Sequence, residues 1–134
     1  MIRVKTPMDE KTARSLKMGD EVWLSGTLYT ARDAAHMRLI EALENGLELP
    51  FDLRGQIIYY CGASPTKPGE VIGACGPTTS YRMDKMTPML LKNGLMGMIG
   101  KGERSVEVIE TMKETGGVYF AAIGGAGALT ASYV

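Results

Sequence analysis

The stretch LMGMIGKGERSVEVIETMKETGGVYFAAI, residues 95–123, carries a strand pattern, a helix pattern and a second strand pattern in turn, and this order decides the fold class. The apolar run 95–99 is short and closes on Gly100-Lys101-Gly102, as a buried strand does when it enters a turn. From about Glu103 to Thr115 the spacing of Val106, Ile109 and Met112 predicts one apolar helical face, and Gly116 supplies the stop. The run 118–123 is again apolar. Strand, loop, helix and strand in this order predict an α/β layer fold with some parallel strands.

Working outward, further short apolar runs at 21–25, 56–61 and 71–75 read as strands, each closing on glycine or a small polar residue. A first helix is expected from Thr30, a good N-cap with Asp33 three residues on. Ala31, Ala35, Leu39, Ile40 and Leu43 form its apolar stripe, and Asn45-Gly46 ends it. A second helix is expected from Thr87, with Pro88 in the first turn, where the missing N–H costs nothing, to Asn93-Gly94. No repeat, low-complexity segment or linker divides the chain, so residues 1–134 are read as a single domain.

Fifteen basic and fifteen acidic residues cancel, so the overall field gives no reason to expect nucleic acid or an anionic membrane surface as a partner. An anion must be bound locally. Cys61 and Cys75 lie apart in apolar runs and form no CxxC pair, which fits reduced, buried thiols in a cytoplasmic protein. The charged N-terminus has no signal-peptide pattern. The uncharged tail from Gly116 holds five glycines and reads as a strand and a tight glycine loop rather than a membrane span. The ten methionines read as core filler or interface surface.

Three cations follow the ends of expected strands: Arg32 in the first turn of the first helix, Arg82 after the loop Gly76-Pro77-Thr78-Thr79-Ser80, and Lys101 between Gly100 and Gly102. Free N–H groups already make a helix start attractive to anions, and a cation there adds to that field. Loops at the carboxyl ends of parallel strands gather on one edge of the sheet, so the three cations could converge on a small dicarboxylate. Arginine offers a planar fork that meets both carboxylate oxygens, while lysine acts as a point charge. Thr78, Thr79 and Ser80 add hydroxyls and backbone donors. Asp33, His36 and Ser80 are expected to support the residues that touch the ligand. A lone histidine without a second histidine or cysteine nearby reads as structural rather than as a metal ligand, and no metal site is expected in this chain.

The segments Tyr29-Thr30-Ala31-Arg32-Asp33-Ala34-Ala35-His36, Gly76-Pro77-Thr78-Thr79-Ser80-Tyr81-Arg82-Met83-Asp84 and Met98-Ile99-Gly100-Lys101-Gly102 resemble, in order and spacing, three signature segments of one family. That family is the beta subunit, or C-terminal domain, of class I fumarate hydratases and L(+)-tartrate dehydratases. The resemblance runs from near the N-terminus through the glycine-rich tail.

The resemblance implies a swivelling β/β/α domain with a mixed sheet and flanking helices. It implies a hydro-lyase subunit that hydrates fumarate reversibly to malate, a step of the tricarboxylic acid cycle, on a [4Fe-4S] cluster. The cluster would be held by the cysteines of a partner alpha subunit in a hetero-oligomer, not by this chain, whose two cysteines cannot supply three thiolates. By the same resemblance Arg32, Arg82 and Lys101, with Thr78 and Thr79, would bind the substrate, and Thr78 and Arg82 would stand at the reacting centre. Thr78 could move a proton only together with a carboxylate of the partner chain. An L(+)-tartrate dehydratase beta subunit is the alternative substrate reading, and a non-catalytic module that binds a small dicarboxylate or scaffolds a partner is the alternative of another class. Members of the family continue for several tens of residues past the glycine-rich segment. Domain 1–134 therefore either lacks its C-terminal end or is a short version.

Overall fold

Runs of consecutive apolar residues, rather than alternating ones, are what a parallel strand needs when both faces of its sheet are covered, and Ile57-Ile58-Tyr59-Tyr60 is such a run, with all four side chains buried. The computed structural model describes residues 2–31, 33–60, 80–122 and 128–133. The strands are β1 (Ile2–Lys5), β2 (Glu21–Ser25), β3 (Tyr29–Thr30), β4 (Ile57–Tyr59), β5 (Gly97–Gly100), β6 (Val118–Ala122) and β7 (Ala128–Tyr133). The α-helices are α1 (Glu10–Ser15), α2 (Asp33–Glu44), α3 (Thr87–Lys92) and α4 (Val106–Thr115), and Ser80–Met83 forms a short 3-10 helix.

Among the described residues the strands form one sheet in the order β1-β2-β7-β6-β5-β4-β3. The run β3-β4-β5-β6 is parallel throughout, β1 pairs parallel with β2, and β7 lies antiparallel between β2 and β6. Six strands therefore point one way. The chain is α/β, with a mixed sheet and flanking helices, as the strand–helix order predicts.

The two faces of the sheet divide the core. Ile58, Tyr60, Met98 and Tyr119 join Leu39 of α2, Leu90 and Leu91 of α3, and Val108 and Met112 of α4. On the other face Ile57, Tyr59, Ile99, Val118 and Phe120 pack with Met8, Ala13 and Leu16. Full burial of a side chain of this size is worth about 1.5–3 kcal/mol, so the layers on both faces are strongly held.

Several expectations need correction. Thr30 is not the N-cap of the first helix: it is the last residue of β3, its neighbour Ala31 still donates its N–H to Tyr59 O at 3.0 Å, and α2 begins at Asp33. The pull of strand pairing outweighs the capping preference there. The third helix starts at Val106, after the N-cap Ser105, whose Oγ accepts from the Val108 N–H. Its inward stripe is Val108, Thr111 and Met112, while Val106, expected on the buried face, is 71% exposed. The second helix matches its expectation, with proline in its first turn and Asn93 as C-cap. The strand expected at 71–75 and both cysteines lie outside the described residues.

Candidate functional site

Because the strands from β3 to β6 run parallel, their carboxyl ends share one edge, and in sequence Arg32 and Lys101 follow the ends of β3 and β5 there. Lys101 leaves the end of β5 and is exposed. Its carbonyl accepts the Ser80 N–H at 2.9 Å, which sets the first residue of the 3-10 helix directly against the end of β5. Arg82 lies on this 3-10 helix, so the backbone that carries it is tied to the backbone that carries Lys101. Its side chain, like the whole of Arg32, Thr78 and Thr79, lies outside what the structure describes. Arg32 follows Ala31, whose bond to Tyr59 extends the edge between β3 and β4.

The glycines around Lys101 have separate reasons. A Cβ at Gly100 would collide with Ser80 Oγ and come within 2.9 Å of the Tyr60 ring, so only glycine lets the 3-10 helix approach this closely. Gly102 has a φ of +86°, a left-handed conformation that side chains disfavour.

Behind the exposed lysine lies a polar cluster that sequence reasoning missed. The Arg104 side chain is fully buried, and its guanidinium donates from Nε to Asp84 Oδ1 at 2.8 Å, from Nη1 to Tyr60 Oη at 3.0 Å and from Nη2 to Thr87 Oγ1 at 2.9 Å. The second Asp84 oxygen accepts the Ser105 N–H at 2.7 Å. Thr87 donates its own proton to Met83 O, so the short contact between Tyr60 Oη and Thr87 Oγ1 has Tyr60 as donor. Arg104 also stands over the Tyr60 and Tyr119 rings, 4.9 and 5.1 Å from their centroids. Burial pushes the Tyr60 phenol above its usual range, although Arg104 opposes the shift, and Tyr60 remains a neutral hydrogen-bond donor.

A second chain of hydroxyls runs beside the first. Tyr119 Oη donates to Gly102 O at 2.9 Å and so accepts from Ser80 Oγ at 2.7 Å. Ser80 is therefore fully buried and turned into the fold. His36 is also fully buried, on α2, with its ring 5.3 Å from that of Tyr60. Asp33 opens the same helix. The structure thus brings Ser80, the Arg82 backbone and Lys101 together. It sets His36 against Tyr60, with Asp33 at the start of the same helix, and it joins Tyr60, Asp84, Thr87, Arg104 and Tyr119 in the polar cluster behind the loop.

Among the described residues no group of three or more histidine, cysteine or acidic side chains could hold a metal ion. The sequence has two cysteines, Cys61 and Cys75, and both lie outside the described residues. No helix of the described residues is long and apolar enough to cross a membrane.

Fold and site together define an α/β domain whose parallel strands share one loop edge, with the exposed Lys101 on it. The model of the fumarase C-terminus matches residues 1–134, and the chain belongs to that family. It is 41% identical over 130 residues to the "Putative L(+)-tartrate dehydratase subunit beta" of Methanocaldococcus jannaschii, covering 95% of this chain and 67% of that protein. It is 37% identical over 133 residues to the aerobic class I fumarate hydratase of Escherichia coli strain K12, and 36% identical over 133 residues to fumarate hydratase 2 of Leishmania major. Each of these alignments takes in 97% of this chain, but only 24% and 23% of the respective relatives. The chain therefore spans about a quarter of the length of these fumarate hydratases.

Proposed function

We propose that this chain is the beta part of a two-part hydro-lyase of the class I fumarate hydratase type, and that its cationic strand edge takes the carboxylates of a small dicarboxylic acid. The observation that carries the reading is the bond between Ser80 N–H and Lys101 O, which couples the segment bearing Arg82 to the lysine loop within a chain of the fumarase C-terminus family. Arg32, Arg82 and Lys101 bind the acid, with Thr78 and Thr79 in the same site. Arg82 and Thr78 stand nearest the reacting carbon, and Asp33, His36 and Ser80 support them. Held at fixed points, such cations align the substrate and lower the entropic cost of reaction.

The cluster belongs to an alpha-type partner that supplies the cysteines, and the two chains work as a hetero-oligomer in the cytoplasm. When bound there, it would supply Lewis-acid chemistry to the hydration. This chain contributes charge, hydroxyls and exclusion of water as its edge faces the partner. A proton moved by Thr78 requires a carboxylate from the partner, because a threonine hydroxyl is a poor base alone.

Tartrate in place of malate is the second reading. It is favoured by the 41% identity to a protein named "Putative L(+)-tartrate dehydratase subunit beta", of which this chain covers 67%. The carboxylate clamp serves either acid.

The test is Lys101→Met, which keeps chain length and removes the charge, in the complex with the partner, assayed anaerobically on both malate and tartrate. A fall of roughly 100-fold or more in kcat/KM for the preferred acid is expected, equivalent to about 2.7 kcal/mol of transition-state binding. Unchanged kinetics would remove the lysine loop from the site.

A further inference from the structure

Arg82 and Lys101 are nineteen positions apart in sequence, and nothing in their local segments fixes the distance between them. Two independent ties close that gap. One is the Ser80 N–H to Lys101 O bond. The other is the buried Asp84–Arg104 pair, which lies two residues beyond Arg82 on one side and three beyond Lys101 on the other. Asp84 uses both oxygens on the second segment, one on the Arg104 side chain and one on the Ser105 N–H, so it bridges to backbone as well as to charge. Arg104 in turn uses all three of its nitrogens, and of the residues it meets, Tyr60 directly follows β4 and Thr87 opens α3.

We propose that Asp84 and Arg104 are positioning residues, whose buried pair clamps the 80–84 segment to the 101–105 loop and so holds the Arg82 and Lys101 backbones at one separation, suited to a single dicarboxylate. The inference rests on the function proposed above and assigns the site its spacing device. A guanidinium forked between an acid and two hydroxyls, with aromatic rings on its faces, resists displacement in every direction.

Loss of one member of a buried ion pair can unfold a domain, so the test uses a graded pair of variants. Tyr60→Phe removes one acceptor of Arg104 and keeps the ring, and Arg104→Lys keeps the charge and loses the fork. Each is assembled with the partner chain, checked for folding by its thermal transition, and assayed with malate and tartrate. Misplaced cations raise KM, by about tenfold or more for Arg104→Lys and less for Tyr60→Phe. A purely structural role lowers the amount of active enzyme, and with it Vmax, while leaving KM unchanged. Raised KM in folded variants supports the clamp. Wild-type KM with lowered Vmax in both variants overturns it. If Arg104→Lys does not fold, Tyr60→Phe decides by the same criterion. No turnover by the unmodified complex with either acid would instead overturn the proposed function, and the clamp with it, so the two failures are told apart by the control.

Discussion

Lys101 is exposed while its carbonyl holds the Ser80 N–H, and in the proposed site its ammonium meets a carboxylate. In the proposed site Arg82 would meet a carboxylate through two parallel bonds, which a point charge cannot replace. Arg82→Lys in the assembled enzyme is expected to lose roughly 100-fold or more in kcat/KM, about 2.7 kcal/mol. Wild-type kinetics in that variant would take Arg82 out of the site. Asp52 offers a check on the electrostatics away from the edge. The Arg54 side chain and backbone N–H hold its carboxyl down to about 2 from an ordinary 3.8. Because the folded value is depressed, the pair's contribution is present above about pH 4 and is lost as the pH falls toward 2. Both groups are exposed, so the effect on stability is small. A carboxyl titration followed by NMR should show a midpoint near 2 for Asp52, and a midpoint near the ordinary value would contradict the contact.

Elements with strong chemical punctuation were legible in the sequence. The helix at 87–92 was marked by Pro88 and Asn93-Gly94, the end of α4 by Gly116, and β2, β4, β5 and β6 by compact apolar runs. Elements with weak punctuation were not. β1 alternates with charged residues at the sheet edge, α1 has six residues and no apolar stripe, and β7 is built largely from small residues after a glycine-rich stretch. The phase of α4 was misread because Val106 is apolar yet lies at the first helical position, before the stripe that meets the sheet. Ser105 sets that phase. Ser105→Ala should therefore destabilise the domain by about 1 kcal/mol, since one N–H loses its cap and the backbone bond to Asp84 survives. Equilibrium urea unfolding would measure this, and an unchanged midpoint would show that the cap contributes nothing.

At the scale of the whole molecule, the strand order predicts a shared edge for the three cations, because parallel strands dictate where their following loops go; the structure describes Lys101 and the Arg82 backbone, while Arg32 lies outside the described residues. The frame behind that edge was not legible. Asp84 meets Arg104 across twenty residues, and Tyr60 and Tyr119 come from strands that read as plain core. A long-range contact between one acid and one of fifteen basic residues leaves no local pattern to find. The decisive measurement is anaerobic turnover by this chain together with its cysteine-bearing partner after cluster reconstitution, followed as fumarate formed from malate and oxaloacetate formed from tartrate, with each chain alone as control. Turnover of one of these acids only when both chains are present is the predicted result. Turnover by either chain alone, or none by the assembled pair with either acid, would contradict the assignment of this chain as one half of a two-part hydro-lyase.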